Sequence, residues 1–148
     1  GFTLVEIVVV LAVAALLMTA VPPLFEAVMP GVQIKGAARR TVAALRLARD
    51  TAIRSGSETA LVVDVEARRL ELQGFRPVSL PGALNLDLEV ARRELMDEER
   101  GAIRFFPDGS STGGRIALTR GEGQDATGYQ VGVNWLTGRV RMAPWGPE

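Results

Sequence analysis

The chain has 148 residues, of which 47% are hydrophobic, and this size and composition suit one compact domain with an appendage. Seventeen basic and seventeen acidic residues cancel, so no field of the whole chain would attract nucleic acid or an anionic surface. The lack of Cys and His excludes disulfides and removes the main ligands of zinc sites and the usual base of a Ser-His nucleophile. We therefore expect no metal, no cofactor and no enzymatic activity.

The first element is the apolar stretch LVEIVVVLAVAALLMTAV, from Leu4 to Val21. As a helix it would be about 27 Å long, close to a hydrocarbon core of roughly 30 Å. This length predicts a membrane-spanning anchor rather than a cleaved signal peptide or a buried core helix. Glu6 interrupts the stretch with a charge that costs roughly 2.5 to 3.5 kcal/mol deep in a bilayer. Thr3 and Glu6 also have the spacing of a capping box, in which two side chains satisfy free backbone N–H groups at a helix start.

The sequence GFTLVE followed by an apolar stretch resembles the class III signal of type IV pilins and type II secretion pseudopilins. The resemblance implies that prepilin peptidase cuts between Gly1 and Phe2 and methylates the new amine of Phe2, so that Gly1 would end a basic leader. It also implies that Glu6 meets the amine of a neighbouring subunit in a filament. In a low-dielectric setting, these opposite charges lower each other's desolvation cost. Pairing within one chain and the capping box are the alternatives.

Pro22 and Pro23 follow the apolar stretch, and a proline within a helix removes a backbone donor, so the sequence predicts a kink there. The next segment has an apolar face at helical spacing and ends at Ser55-Gly56. The expected organisation is a signal and assembly helix at 1–33, an amphipathic helix at 34–56 and an antiparallel β domain at 57–148. The apolar face consists of Ile34, Ala38, Val42, Leu45, Ala48 and Ala52.

Alternating apolar residues after Gly56 predict paired β-strands. The predicted pairs are 61–65 with 70–72, 103–105 with 116–118 across the loop PDGSSTGG, and 131–135 with 140–142. A long hydrophobic helix followed by strands is an α+β pattern, in which the helix packs on an antiparallel sheet or sandwich, as in pilins. Residues 76–101 fit either a strand running into a short helix or a mobile loop.

The stretch FFPDGSSTGGR, at 105–115, is a candidate anion-binding loop because glycine-rich segments can present backbone N–H groups to a phosphate. It lacks the Gly-Lys-Ser/Thr end of a P-loop and precedes no predicted helix. We therefore expect this loop to turn the chain between two strands. The stretch also resembles the loop of GspH/FimT-type domains, and with the N-terminal signal this resemblance spans most of the chain.

Four acidic side chains lie close together in the sequence and supply the oxygen ligands that calcium prefers. They lack the spacing of an EF-hand, and three arginines among them neutralise their charge. The sequence therefore favours a solvated charge run. The acidic residues are Glu94, Asp97, Glu98 and Glu99.

Arg139 and Arg141 are two residues apart on a predicted strand, where they would share one face and could straddle phosphates. FimT-type minor pilins that act in DNA uptake resemble this GRVR stretch, and Trp135 and Trp145 could stack on single-stranded bases. Two cations without a wider basic excess would bind DNA weakly. Cross-strand ionic pairing is the favoured interpretation, and nucleic acid is not the expected partner.

The resemblance as a whole implies a minor pseudopilin of the H type, a structural subunit near the tip of the type II secretion pseudopilus that serves protein export across the outer membrane. The implied partners are other major and minor pseudopilins, prepilin peptidase and inner-membrane lipid. The implied location is the bacterial inner membrane, crossed once, with the C-terminal domain in the periplasm. The alternative is a type IV minor pilin of the FimT/FimU type, acting in pilus assembly or DNA uptake.

Overall fold

The computed structural model describes residues 1–146, except for the side chains of residues 19–30 and 124. It divides into two compact units, Gly1–Val32 and Gln33–Glu148. Helix α1 spans Leu4–Ser55. The kink predicted at Pro22 and Pro23 lies outside the described residues, and the membrane span predicted at 4–21 extends into them. Among the residues that the structure does describe, no helix offers a run long and apolar enough to cross a bilayer.

In the second unit, α1 buries one face, as its sequence pattern predicts. The predicted face is buried apart from Val42, which is half-buried, and the structure adds Ala37 and Thr41 to it. Thr41 lies fully inside, and its hydroxyl group donates to the carbonyl oxygen of Ala37 at 3.0 Å, so this polar atom is satisfied within the helix. The helix ends at Ser55, and Gly56 follows with a φ of 63°, a conformation that glycine adopts without strain.

The strands after α1 form two antiparallel sheets. One sheet has the order β3-β2-β1-β5 and the other the order β4-β6-β7-β8. The α+β prediction, with a helix on antiparallel sheets, is confirmed. The strand bounds are β1 Thr59–Asp64, β2 Arg69–Leu72, β3 Val78–Ser79, β4 Asn85–Glu89, β5 Arg100–Phe105, β6 Gly114–Arg120, β7 Thr127–Val133 and β8 Val140–Pro144.

The helix and both sheets share one hydrophobic core. Each large aliphatic or aromatic side chain that is fully buried contributes about 1.5 to 3 kcal/mol relative to an exposed one. The alternation of apolar residues along the strands places these side chains on the inner face of each sheet. The largest fully buried side chains are Phe105, Leu61, Leu70, Ile103, Ile116 and Leu118 of the strands and Leu45 of α1.

Two of the three predicted strand pairs are confirmed. The strands β1 and β2 form a hairpin in which Leu61 lies opposite Leu72, and β7 pairs with β8 so that Val133 lies opposite Val140. Trp135, which was expected in the strand, instead lies in the turn after β7.

The pairing of 103–105 with 116–118 is wrong, because β5 and β6 belong to different sheets. The strand β5 pairs with β1, whereas β6 pairs with β4 and β7. The loop between them turns back only once, at an isolated bridge between Phe105 and Ser111, and then leaves the first sheet. Two successive glycines with positive φ, Gly113 at 75° and Gly114 at 153°, redirect the chain into the second sheet.

Residues 76–101 contain the strands β3 and β4 and a 3₁₀ helix at Arg92–Glu94. The alternative of a strand running into a short helix therefore describes this segment. The solvated charge run is wrong for Glu94, which is only 7% exposed, but Asp97, Glu98 and Glu99 are exposed as predicted. The carboxylate of Glu94 pairs with Arg104 at 3.5 Å, which offsets part of the cost of burying its charge.

Candidate functional site

The start of α1 is fixed by Thr3. Its side-chain Oγ1 accepts a hydrogen bond from the backbone N–H of Glu6 at 3.3 Å, and its carbonyl oxygen accepts one from Ile7 at 3.3 Å. This is the first half of the predicted capping box. The bond uses the backbone of Glu6 and leaves its carboxylate exposed. Gly1 and Phe2 precede the helix, and Phe2 is 85% exposed.

The apolar side chains of α1 before residue 19 are exposed in the single chain. A helix that is apolar all round and has no core to cover it must be buried by lipid or by other helices. Glu6 is the one acidic residue among these described helical positions. The exposed large side chains after Phe2 are Leu4, Val5, Ile7, Val8, Val9, Val10, Leu11, Val13, Leu16, Leu17 and Met18.

In the second unit, Arg139 and Arg141 line a surface pocket with two arginines of α1, Arg46 and Arg49. The pocket has a volume of about 390 Å³, and Asp50 is its one acidic lining residue. Arg139 precedes β8, while Arg141 lies within it, and both are exposed. The sequence suggested Arg139 and Arg141 as a pair and gave no sign that Arg46 and Arg49 lie beside them. The four positive charges form a single basic surface.

The predicted cross-strand ionic pairing of Arg139 and Arg141 is wrong. In the register of β7 with β8, the residue opposite Arg141 is Gly132, which carries no side chain to pair with. Within the described part of the chain, no acidic group lies within ion-pair distance of either arginine. Their charge is therefore available to a partner.

Arg49 joins α1 to two loops. Its Nε donates to the carbonyl oxygen of Gly109 at 3.1 Å, and its Nη2 donates to that of Thr137 at 3.2 Å. Gly109 and Gly138 have φ values of 85° and 61°, and a Cβ on Gly138 would collide with the carbonyl oxygen of Gly109. The two loops therefore approach each other so closely under Arg49 that only glycine fits at the contact.

The loop 106–113 turns the chain, as the sequence predicts, and most of its amide groups are already used within the protein. Gly109 donates to Phe106, Ser111 to Trp135, and Thr112 to Arg104. The Asp108 carboxylate accepts bonds from the Ser110 hydroxyl group at 2.6 Å and from the Ser110 amide at 2.9 Å, and these bonds lower the pKa of Asp108. Because these amides have partners, the loop offers no cradle for a phosphate.

Sequence models of two families match the chain. The family described as type II transport protein GspH matches residues 37–138, and the prokaryotic N-terminal methylation motif matches residues 1–22. The type II secretion system protein H of Xanthomonas campestris is 36% identical over 97% of this chain and 83% of its own length.

Solved structures share the fold. The minor pseudopilin EpsH from the type II secretion system of Vibrio cholerae has a TM-score of 0.59 at 21% identity, over 78% of this chain and 97% of its own. The type IV minor pilin FimU of Pseudomonas aeruginosa has a TM-score of 0.54 at 15% identity, over 75% of this chain and 88% of its own. At these identities, the likeness concerns the fold alone.

The match to the family model and the identity to protein H show to which family the chain belongs. The family is one of structural pseudopilins, and membership implies association with other pseudopilins in a pseudopilus. Together with the methylation motif, it implies an N-terminal anchor in the inner membrane. The chain belongs to the GspH family of type II transport proteins, as a subunit of the type II secretion pseudopilus.

Proposed function

We propose that this pseudopilin resides in the inner membrane, with its C-terminal domain in the periplasm, before it is assembled into the pseudopilus near the tip of that filament. Prepilin peptidase cuts the bond between Gly1 and Phe2 and methylates the new amine. The part of 1–33 that remains after the cut then serves as the membrane and assembly helix. Residues 34–56 serve as the amphipathic helix, and residues 57–148 as the periplasmic β domain.

The observation that carries the assembly step is the exposed carboxylate of Glu6 within an exposed apolar helix. When this helix is buried in lipid or among other subunits, an unpaired carboxylate is unfavourable, by roughly 2.5 to 3.5 kcal/mol near the centre of a bilayer. The cationic amine of Phe2 on a neighbouring subunit would offset that cost. The capping bond to Thr3 explains the helix start but employs only the backbone of Glu6.

The decisive experiment replaces Glu6 by Leu in the full chain. We expect the variant to be made and anchored normally, to resist proteolysis as the parent does, and to be absent from sheared filaments, with loss of secretion. Glu122→Leu is the matched control, because Glu122 is an exposed acid in the second unit. Filaments that contain Glu6→Leu at parental levels would refute the proposed role of this carboxylate.

The proposed processing is tested separately by sequencing the N-terminus of the mature protein. We expect it to begin with methylated Phe2 and to depend on prepilin peptidase. Mature protein that keeps Gly1 would exclude the cut between Gly1 and Phe2. This result would leave the family assignment intact, because that assignment rests mainly on residues 37–138.

A second candidate function, contact with DNA, is favoured by the four arginines that line one pocket. The test is the paired change of Arg139 and Arg141 to Ala, with DNA retention measured at two salt concentrations. A DNA-binding role predicts weaker retention and a shallower salt dependence with unchanged secretion. The paired change of Arg76 and Arg120 to Ala is the control, because both are exposed arginines elsewhere on the unit. Equal retention by parent and both variants would exclude this role.

A further inference from the structure

The strand β8 is one edge of the second sheet, where β7 is its neighbour. The ladder between them continues past both ends of β8, because Asn134 donates to the carbonyl oxygen of Arg139 and Trp145 donates to that of Gly128, each at 3.0 Å. In an antiparallel ladder, every second residue of a strand turns its N–H and C=O groups toward the neighbour. The residues that face β7 in this way are Arg139, Arg141, Ala143 and Trp145.

The other residues of β8 direct their main-chain groups away from the sheet. Val140 and Met142 each present an N–H and a C=O group at this outer edge, and Pro144 presents a C=O group alone. Among the described residues, no backbone group outside the sheet bonds to Val140 or Met142. A partner for this edge must supply both donors and acceptors. An extended peptide supplies both, whereas a run of phosphate groups supplies acceptors only.

Positive charge lies on both sides of this edge. One pocket lies between β8 and α1, and a second pocket, of about 480 Å³, lies on the outer face of the sheet. In the second pocket, Gly132 separates Arg115 from Arg141 in one cross-strand row, so two guanidinium groups flank a residue that has no side chain. The arginines that line the two pockets are Arg46, Arg49, Arg115, Arg139 and Arg141.

Two carboxylates partly offset these five positive charges. Asp50 lines the first pocket, and the Glu89 carboxylate lies 3.9 Å from Nε of Arg115. The next acid on the outer face of the sheet is Asp87 of β4, three strands from β8 and therefore roughly 14 Å away. A surplus of positive charge remains on both faces beside the edge, so acidic side chains on either face of an added strand would be attracted.

The same charges disfavour a second copy of β8 at this edge. If two β8 strands paired side by side, the arginines of one copy would lie against those of the other, and like charges across a strand pair are destabilising. Charged side chains and proline are common means by which an edge strand avoids pairing with its own kind. Pro144 is such a residue, since it removes the last outward amide of β8. The edge therefore favours a strand of opposite charge.

We infer that β8 is a docking edge for an extended acidic segment of a different protein, which adds to the second sheet as a fifth strand. The main chain of this segment pairs with Val140 and Met142, and its carboxylates lie among the arginines of the two pockets. In such strand addition, the main-chain bonds supply affinity and the side chains supply specificity. The docking involves neither Phe2 nor Glu6, so its failure leaves the proposed filament entry untouched.

The first test uses a fluorescently labelled octaglutamate peptide and the full chain in nonionic detergent, with binding measured by fluorescence anisotropy. We expect the peptide to bind with an affinity that falls as salt is raised, and octalysine not to bind. N-methylation of every second amide blocks one edge of the peptide and should preserve the affinity within about twofold. N-methylation of every amide blocks both edges and should weaken binding about tenfold.

The methylated peptides carry the same charge as the parent peptide. Equal affinities for all three would mean that charge alone holds the peptide, as it would hold DNA, and would overturn the inference. Failure of octaglutamate to bind at millimolar concentration would overturn it as well. Self-association of the chain that excludes the peptide would contradict the choice of a different protein as the partner.

The second test changes the edge of the protein itself. Met142→Pro removes an outward amide and places a ring at the edge, whereas Met142→Ala shortens the same side chain but keeps the amide. Because this amide does not bond to β7, proline is tolerated there. We expect Met142→Ala to bind octaglutamate within about twofold of the parent and Met142→Pro to bind about tenfold more weakly. Near-ultraviolet circular dichroism verifies the fold, and equal binding by two folded variants would contradict the docking.

The third test removes charge beside the edge. The paired change of Arg139 and Arg141 to Ala should weaken octaglutamate binding about fivefold, as expected for two exposed ion pairs. The paired change of Arg76 and Arg120 to Ala is the control, because both are exposed arginines that line neither pocket beside β8. Equal weakening by both pairs would show that the peptide responds to net charge rather than to this edge.

Discussion

Arg49 of helix α1 donates from Nε to the carbonyl oxygen of Gly109 at 3.1 Å, which ties the helix to a loop 60 residues further along the chain. The same guanidinium group donates to the carbonyl oxygen of Thr137 in the turn after β7, 88 residues away. One half-buried side chain thus links three segments that lie far apart in the sequence. The pocket that Arg49 lines with Arg139 and Arg141 and the turn after β7 both depend on this arrangement.

We predict that Arg49→Ala lowers the free energy of unfolding by about 2 kcal/mol, because two carbonyl oxygens lose hydrogen bonds from a charged donor. Arg46→Ala should change it by less than about 0.5 kcal/mol, since Arg46 lines the same pocket but is exposed. Urea unfolding of the full chain in detergent, followed by the fluorescence of Trp135 and Trp145, measures both. Equal effects of the two substitutions would contradict the linking role of Arg49.

The contact between Gly138 and Gly109 leads to a second prediction. Gly138→Ala should cost about 2 to 4 kcal/mol, because the new Cβ combines a φ of 61° with a collision against the carbonyl oxygen of Gly109. Gly123 has the same φ with open space around it, so Gly123→Ala should cost only the conformational part, about 1 kcal/mol. The difference between the two unfolding midpoints isolates the collision. Indistinguishable midpoints would mean that the loops separate without cost.

Local sequence patterns predicted the positions of the helix and the strands better than they predicted which strands pair with each other. Apolar spacing identified the buried face of α1 and the hairpins β1-β2 and β7-β8, because adjacent strands with short turns pair with each other. The same alternation at 103–105 and 116–118 was compatible with one sheet or with two. Only long-range packing decides that β5 joins β1 while β6 joins β4 and β7.

The arginine-lined pocket also depends on packing that local sequence patterns do not reveal. Arg139 and Arg141 stood out because they are neighbours in the sequence, whereas Arg46 and Arg49 looked like ordinary charges on an amphipathic helix. Their meeting in one pocket depends on how the helix packs against β8, which no spacing in the sequence reveals. Trp135 and Leu136 were assigned to a strand and its turn. Their shared exposure follows from Asn134, whose side chain ends the strand by bonding the next amides.

Glu94 provides a prediction about buried charge. Its carboxylate is 7% exposed and pairs with Arg104, which also contacts Glu58 at 3.5 Å. Glu94→Gln should lower the free energy of unfolding by about 1 to 3 kcal/mol, because Arg104 loses its buried partner and keeps only the exposed one. Glu98→Gln, at an exposed position, is the control. Chemical unfolding at neutral pH measures both, and a neutral result for Glu94→Gln would mean that Arg104 rearranges toward solvent.

Asp97 and Glu99 should make the free energy of unfolding depend on pH in two opposite ways. Asp97 has a lowered pKa because of its bond to Arg100, so its contribution is present above its ordinary value of 3.8 and is lost as the pH falls further. Glu99 has a raised pKa because it faces Glu66, so its contribution is present below its ordinary value of 4.5 and is lost as the pH rises through its folded-state value.

Glu66→Gln removes only the second effect. We therefore expect this variant to be more stable than the parent at about pH 7, where Glu66 otherwise repels the Glu99 carboxylate, and to lose that advantage near pH 3, where the raised pKa of Glu99 keeps this group protonated. Asp97→Asn should show the reverse, with a deficit at about pH 7 that shrinks toward pH 3. Urea unfolding across this range, with Glu122→Gln as an exposed control, measures the slopes. Parallel pH profiles for parent and Glu66→Gln would show that Glu66 and Glu99 do not interact in solution.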